Sequence, residues 1–121
     1  MNNGLRIVTI DELKAQMRVD FEDEDEIIVL YGSAAEDSII DGTARSLEEL
    51  NRMGYREKTG LDAEELPEGN WFPDRLKLAI LILAAHSYRN REPVAAIAQN
   101  AVPYSLDVFC KPYRKLTDRE V

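Results

Sequence analysis

Cysteine and histidine are almost absent: Cys110 and His86 are the only examples in 121 residues. A lone thiol closes no internal disulfide, and one Cys with one His falls short of a tetrahedral zinc site. The simplest setting is therefore intracellular and reducing, with Cys110 as a small buried hydrophobe. Also missing are a glycine-rich phosphate loop, a paired-histidine metal motif and a serine-nucleophile elbow. His86 reads as a hydrogen-bonded core or interface residue rather than a general base. Pairs such as Asp23 and Glu26 lie in a hydrated acidic run with nothing to split their pKa values. No catalytic, cofactor-binding or metal site is expected. The longest apolar run, residues 78–85, is too short to cross a bilayer. The start, MNNGLRIVTIDEL, lacks the basic then apolar order of an export signal.

What the chain does have is charge, distributed unevenly. The net charge is −8; residues 1–70 carry 18 acidic and 7 basic side chains, whereas residues 71–121 carry 5 and 8. An acidic front half argues against binding duplex DNA, because non-specific affinity comes from neutralising phosphates with Lys and Arg. The basic end around Lys111, Arg114, Lys115 and Arg119 suits a solvated face or an acidic partner surface. The length fits one domain, 1–121, with one core.

Residues 73–91, PDRLKLAILILAAHSYRNR, dominate the pattern. Ala79, Ala84 and Ala85 and the total length favour a helix over a buried strand. An unbroken apolar run places hydrophobic side chains on every helical face, so this helix is expected to be buried nearly all round. Pro73 suits the first helical position, Asp74 complements the positive end of the dipole, and Arg89 and Arg91 the negative end. At 1.5 Å per residue it spans roughly 28 Å, the width of a small domain.

The other elements follow from their caps. Thr9-Ile10-Asp11-Glu12 has the form of a capping box and predicts a short helix over residues 10–18. A second helix is predicted over 24–44, with Ile27, Leu30, Tyr31, Ala34, Ser38 and Ile39 as its buried stripe and Gly32 to Ala35 as a thin side for close approach. Between them lie six carboxylates in seven residues, Asp20, Glu22, Asp23, Glu24, Asp25 and Glu26. A calcium loop needs a glycine at its sharp turn, and this run has none. Carboxylates at a helix start are instead favoured by the dipole. Residues 45–72 read as a long excursion: Ser46 caps a two-turn helix that Gly54 stops near Met53, followed by a polar stretch with a candidate hairpin at 58–60. Residues 94–101, VAAIAQNA, form a small apolar arm, helical or extended. Ser105 caps a last helix that Pro112 kinks or ends. The fold class is all-α, a small bundle of about four main helices around the central one.

Several of these pieces together resemble a known family. They are Val8-Thr9-Ile10-Asp11-Glu12-Leu13-Lys14, Arg18-Val19-Asp20 with its acidic sequel, Asp74-Arg75-Leu76-Lys77, Ala85-His86-Ser87-Tyr88-Arg89-Asn90-Arg91-Glu92, Val102-Pro103-Tyr104-Ser105 and Lys111-Pro112-Tyr113-Arg114. In this order the chain is similar to the tailed-phage head-tail connectors, also called DNA-packaging or portal adaptor proteins. The segment 45–72 is longer than the family pattern. The resemblance implies a non-enzymatic structural protein of a phage or prophage, made in the host cytoplasm and built into the virion at the head-tail junction. It implies a homo-oligomeric ring of roughly a dozen copies, closed by head-to-tail contacts. The ring would dock on the portal protein, meet a further connector or tail protein, and let DNA pass without specific binding; no membrane contact is implied.

Two sets of residues are then expected to matter. Asp20, Glu22, Asp23, Glu24, Asp25 and Glu26 would line the channel, since an acidic wall repels phosphate over about 8 Å at physiological salt. Val94, Ile97, Tyr104, Lys111, Tyr113, Arg114 and Lys115 would contact a neighbouring subunit or the portal. A competing reading from another class is a small cytoplasmic helical module, regulatory or antitoxin-like, that binds one partner as a monomer or dimer and uses the acidic run as a nucleic-acid mimic. Stoichiometry separates the two.

Overall fold

The computed structural model describes residues 5–61, 65–90 and 109–113. Four α-helices follow in chain order: α1 (Ile10–Met17), α2 (Asp25–Thr43), α3 (Leu47–Thr59) and α4 (Asp74–Arg89), with a 3-10 turn at Lys111–Tyr113. The described residues contain no strand, so the all-α bundle expected from the pattern is what forms. Helices α2 and α4 make the largest contact, α1 packs on α4, and α1 also meets α2.

Helix α1 begins as its cap dictates. The Thr9 hydroxyl accepts from the Glu12 N–H at 3.1 Å, and the Glu12 carboxylate accepts from the Thr9 N–H at 2.9 Å. These two bonds satisfy donors that the helix itself leaves unpaired. Arg18 ends the helix in the left-handed region, with φ 61°. Leu13 and Met17, one turn apart, point inward.

Helix α2 has the predicted extent, and Tyr31, Ala34, Ser38 and Ile39 of its predicted stripe are buried, but in its first turns the buried face is rotated from the predicted one. Ile28, Tyr31, Ala35 and Ile39 are buried, whereas Ile27 is 36% and Leu30 54% exposed. Four consecutive apolar residues, 27–30, leave the phase of the stripe ambiguous; packing chooses the face that carries Gly32. A Cβ there would lie 2.4 Å from Leu13 Cδ1, so the missing side chain leaves room for Leu13 of α1 as it is placed.

That buried face also carries Glu36, which is fully buried. Its carboxylate accepts from the backbone N–H groups of Arg6 (3.0 Å), Ile7 (2.7 Å) and Val8 (3.0 Å), and from Arg6 Nε at 3.3 Å. Residues 5–9 belong to no helix, so Glu36 takes the place of a secondary-structure partner. Arg6 also pairs with Asp37.

Helix α3 departs from expectation. Its Ser46 capping box forms, but the helix runs through Gly54 to Thr59 and ends at Gly60, φ 76°. Gly60 closes a helix at the position of the candidate hairpin. Gly54 has another purpose: a Cβ on it would lie 1.6 Å from the Trp71 carbonyl oxygen. The helix and the incoming strap 65–73 therefore touch backbone to backbone. The strap is tied by Asn51 Oδ1 to the Trp71 N–H (2.7 Å) and by Asn70 Nδ2 to the Ile7 carbonyl (3.0 Å). Tyr55 meets the Trp71 ring edge-on at 4.9 Å. Among its described residues, the excursion expected at 45–72 is thus a helix followed by a strap.

Helix α4 is the core of the bundle, with Leu76, Ala79, Ile80, Ala84 and Ala85 at 0% exposure. Each large aliphatic side chain buried in this way contributes about 1.5–3 kcal/mol. Pro73 caps the helix from outside rather than occupying its first position. The expectation of burial all round fails on one side: Leu78 is 42% exposed, and Leu81 and Ile82 are half-buried. Phe109 and Cys110 are helical and give way to the 3-10 turn that contains Pro112, where proline was expected to kink or end the helix. The start of that last helix at Ser105 and the arm 94–101 lie outside the described residues.

Candidate functional site

The acidic run spans the α1–α2 connection and the first turn of α2. The fold divides its six carboxylates into two groups. Glu24 accepts a hydrogen bond from the Tyr88 hydroxyl, and Asp25 pairs with Lys14 Nζ at 2.8 Å. These two fasten the start of α2 to α4 and α1. Asp20, Glu22, Asp23 and Glu26 are exposed. Phe21, 47% exposed, stands among them, followed by the exposed Ile27 and Leu30. The surface is acidic with apolar inserts, which was not foreseen from the charge pattern.

Of the residues expected to make subunit or portal contacts, Val94, Ile97, Tyr104, Arg114 and Lys115 lie outside the described residues. Lys111 is exposed. Tyr113 is turned inward, at 1% exposure: its hydroxyl donates to Glu57 at 2.9 Å, and its carbonyl accepts from Arg45 Nε at 2.8 Å. Burial, then the bond to the Glu57 carboxylate and its charge, push the Tyr113 phenol well above its ordinary range. Tyr113 is the bolt that holds the C-terminal segment on α3, not a free contact. Cys110 beside it is 1% exposed, and burial raises its thiol to about 11. It is the small hydrophobe read from its isolation.

His86 is exposed rather than in the core. Its Nδ1 lies 3.3 Å from Asn90 Nδ2, which also donates to the His86 carbonyl at 2.8 Å. It shares the outer face of α4 with Arg75, Leu78, Ile82 and Arg89, which recur at helical spacing. Sequence reading missed this face because the apolar run hid which side would stay uncovered. The corresponding side of α2 carries Glu26, Leu30, Asp37 and Asp41.

Near the C-terminal ends of α1 and α4, Ala15, Gln16, Met17, Arg18 and Arg89 line an open cleft of about 570 Å³. Two guanidinium groups there complement two negative helix ends. Among the described residues no group of His, Cys, Asp and Glu is arranged to hold a metal ion, and no helix is long and apolar enough to cross a membrane.

The distinguishing chemistry is thus on outer faces: an acidic one with apolar inserts, and a basic one around an apolar centre. The profile of the family described as phage gp6-like head-tail connector protein matches residues 7–116, and the chain belongs to that family. It is a phage structural connector, a component of the virion, and its family implies contact with portal and tail proteins. No curated protein matches the chain, and no solved structure does.

Proposed function

We propose that this protein assembles as a closed head-to-tail ring that docks on the portal at the head-tail junction, passes contact on to a further connector or tail protein, and leaves a channel for DNA. The observation that carries the reading is the family match over nearly the whole chain. The surface chemistry is compatible. Ring closure needs two different, complementary patches on each subunit, and the bundle presents acidic and basic faces on separate helices. A conduit for DNA works best when it does not grip phosphate, and the exposed Asp20, Glu22, Asp23 and Glu26 supply repulsive charge for such a wall. The arm 94–101 and the basic residues Lys111, Arg114 and Lys115 are proposed contacts to a neighbour or the portal. Synthesis in the host cytoplasm precedes assembly.

The test is the mass of the purified protein by light scattering over a concentration series at low and high salt, with electron microscopy of any large species. A ring of roughly a dozen subunits is expected, weakened by salt because exposed charge contacts are screened. A persistent monomer or dimer, unchanged by added portal protein, rejects the ring. Neutralising Asp20, Glu22, Asp23 and Glu26 to Asn or Gln tests the wall separately: unchanged genome passage removes that role.

A further inference from the structure

We infer that the joint between neighbouring subunits is the outer face of α2 on one copy laid against the outer face of α4 on the next. The inference rests on the ring reading and adds which surfaces meet. The two faces are the largest departures of these helices from simple amphipathicity. On α2, Leu30 is 54% and Ile27 36% exposed, and the exposed carboxylates on the same side are Glu26 and Asp41, with Asp37 nearby already paired to Arg6. On α4, Leu78 is 42% exposed, Ile82 is half-buried beside it, and Arg75 and Arg89 stand exposed at the two ends; the exposed Asp74 beside Arg75 is paired with Lys58.

Physical chemistry matches these faces to each other. Each has an apolar centre of aliphatic side chains, whose removal from water favours association. The flanking charges are opposite in sign, so each face attracts the other and repels its own kind. An isologous dimer through either face would bring like charges together, which costs free energy. Because the faces lie on different helices and do not overlap, one subunit can use both at once. A contact of this type is heterologous and propagates until a ring closes. Two helices packed by such stripes approach to about 8–10 Å, a distance at which the end charges reach one another.

Leu30→Glu and Leu78→Glu test the assignment, each placing a carboxylate at an exposed position where the fold has room. Circular dichroism melting checks that both variants fold; should either unfold, Leu30→Ser and Leu78→Ser replace them. Sedimentation of the wild type, each variant and their equimolar mixture is then compared. The expected result is assembly by the wild type, a shift of at least about 100-fold to higher concentration for each variant alone, and a discrete 1:1 dimer in the mixture. The dimer arises because the intact α4 face of the Leu30→Glu chain meets the intact α2 face of the Leu78→Glu chain, while their altered faces stop growth. Wild-type assembly with variants that assemble equally well overturns the face assignment and leaves the ring standing. Variants that stay monomeric even when mixed overturn it too. A wild type that remains monomeric at every concentration, even with portal protein added, overturns this joint together with the ring.

Discussion

Glu36 accepts the backbone N–H of Ile7 at 2.7 Å across 29 positions of sequence, at a site where the carboxylate has no exposure. The same oxygen accepts from Val8, and both oxygens receive the Arg6 N–H. A single side chain on α2 therefore organises the segment that leads into α1. Replacing Glu36 with Ala strands these donors in the interior, and a loss of about 3 kcal/mol is expected. Glu36→Gln keeps one carbonyl oxygen but turns an NH₂ toward donors, so it should recover only part of the loss. Urea unfolding midpoints of the two variants check this; equal stability with the wild type would refute the anchoring role.

Gly54→Ala is expected to cost about 3 kcal/mol or to prevent folding. The new methyl would fall on the Trp71 carbonyl oxygen, and backbone cannot swing aside as a flexible side chain can. Exposed helix positions ordinarily gain from Gly to Ala, so the sign of the effect decides between close packing and mere tolerance. Thermal melting of this variant beside Gly60→Ala, which meets strain from φ alone, separates the two causes.

Acid should weaken the fold through Glu12. Burial raises its pKa, but the hydrogen bond to Lys77 and the Thr9 backbone N–H outweigh burial and hold it below 4.5. A carboxylate depressed in the folded state contributes stability that is fully present above its unfolded value and lost as pH falls through the folded one. Stability should therefore be flat near neutrality and decline below about pH 4.5. Lys77→Met removes the partner, 3.0 Å away, and should flatten part of that decline. Urea midpoints measured from pH 7 to pH 3 on both proteins give the comparison.

Cys110 should resist thiol reagents in the native state. Its sulfur is buried and its thiol, raised to about 11 by burial, holds little of the reactive thiolate at neutral pH. Labelling should follow unfolding, so its rate reports opening of the segment that Tyr113 fastens to Glu57. Tyr113→Phe, which removes that bond, should speed native-state labelling roughly 5-fold or more, the equivalent of about 1 kcal/mol. Labelling as fast as free thiol in the wild type would contradict the buried placement.

Local chemistry made much of this fold legible. The Thr9 capping box formed where its spacing said it would, and Ser46 caps α3 as read, because a cap depends only on residues three apart. The central helix, the extent of α2 and the membership of Cys110 in the core were likewise readable from pattern and composition. The family resemblance rested on short motifs spread along the chain.

Tertiary structure decided what sequence left degenerate. Four apolar residues in a row, 27–30, leave two helical phases open, and packing against α1 and α4 chose the one that left Leu30 outside and brought Glu36 inside. Gly54 reads as a helix stop until the strap at Trp71 explains its missing side chain. Tyr113 reads as an exposed contact until Glu57, 56 positions away, accepts its hydroxyl. The acidic run looks uniform in sequence, yet Tyr88 and Lys14 take two of its members and leave the others on the surface. In each case the deciding partner is distant along the chain, and a pattern of local spacings carries no record of which distant atoms will fill a space or satisfy a donor. The sequence by itself determined where the helices start, the caps at Thr9 and Ser46 and the sign of each half's charge; how far α3 runs and which faces stayed uncovered were settled only by packing, because burial is a property of neighbours.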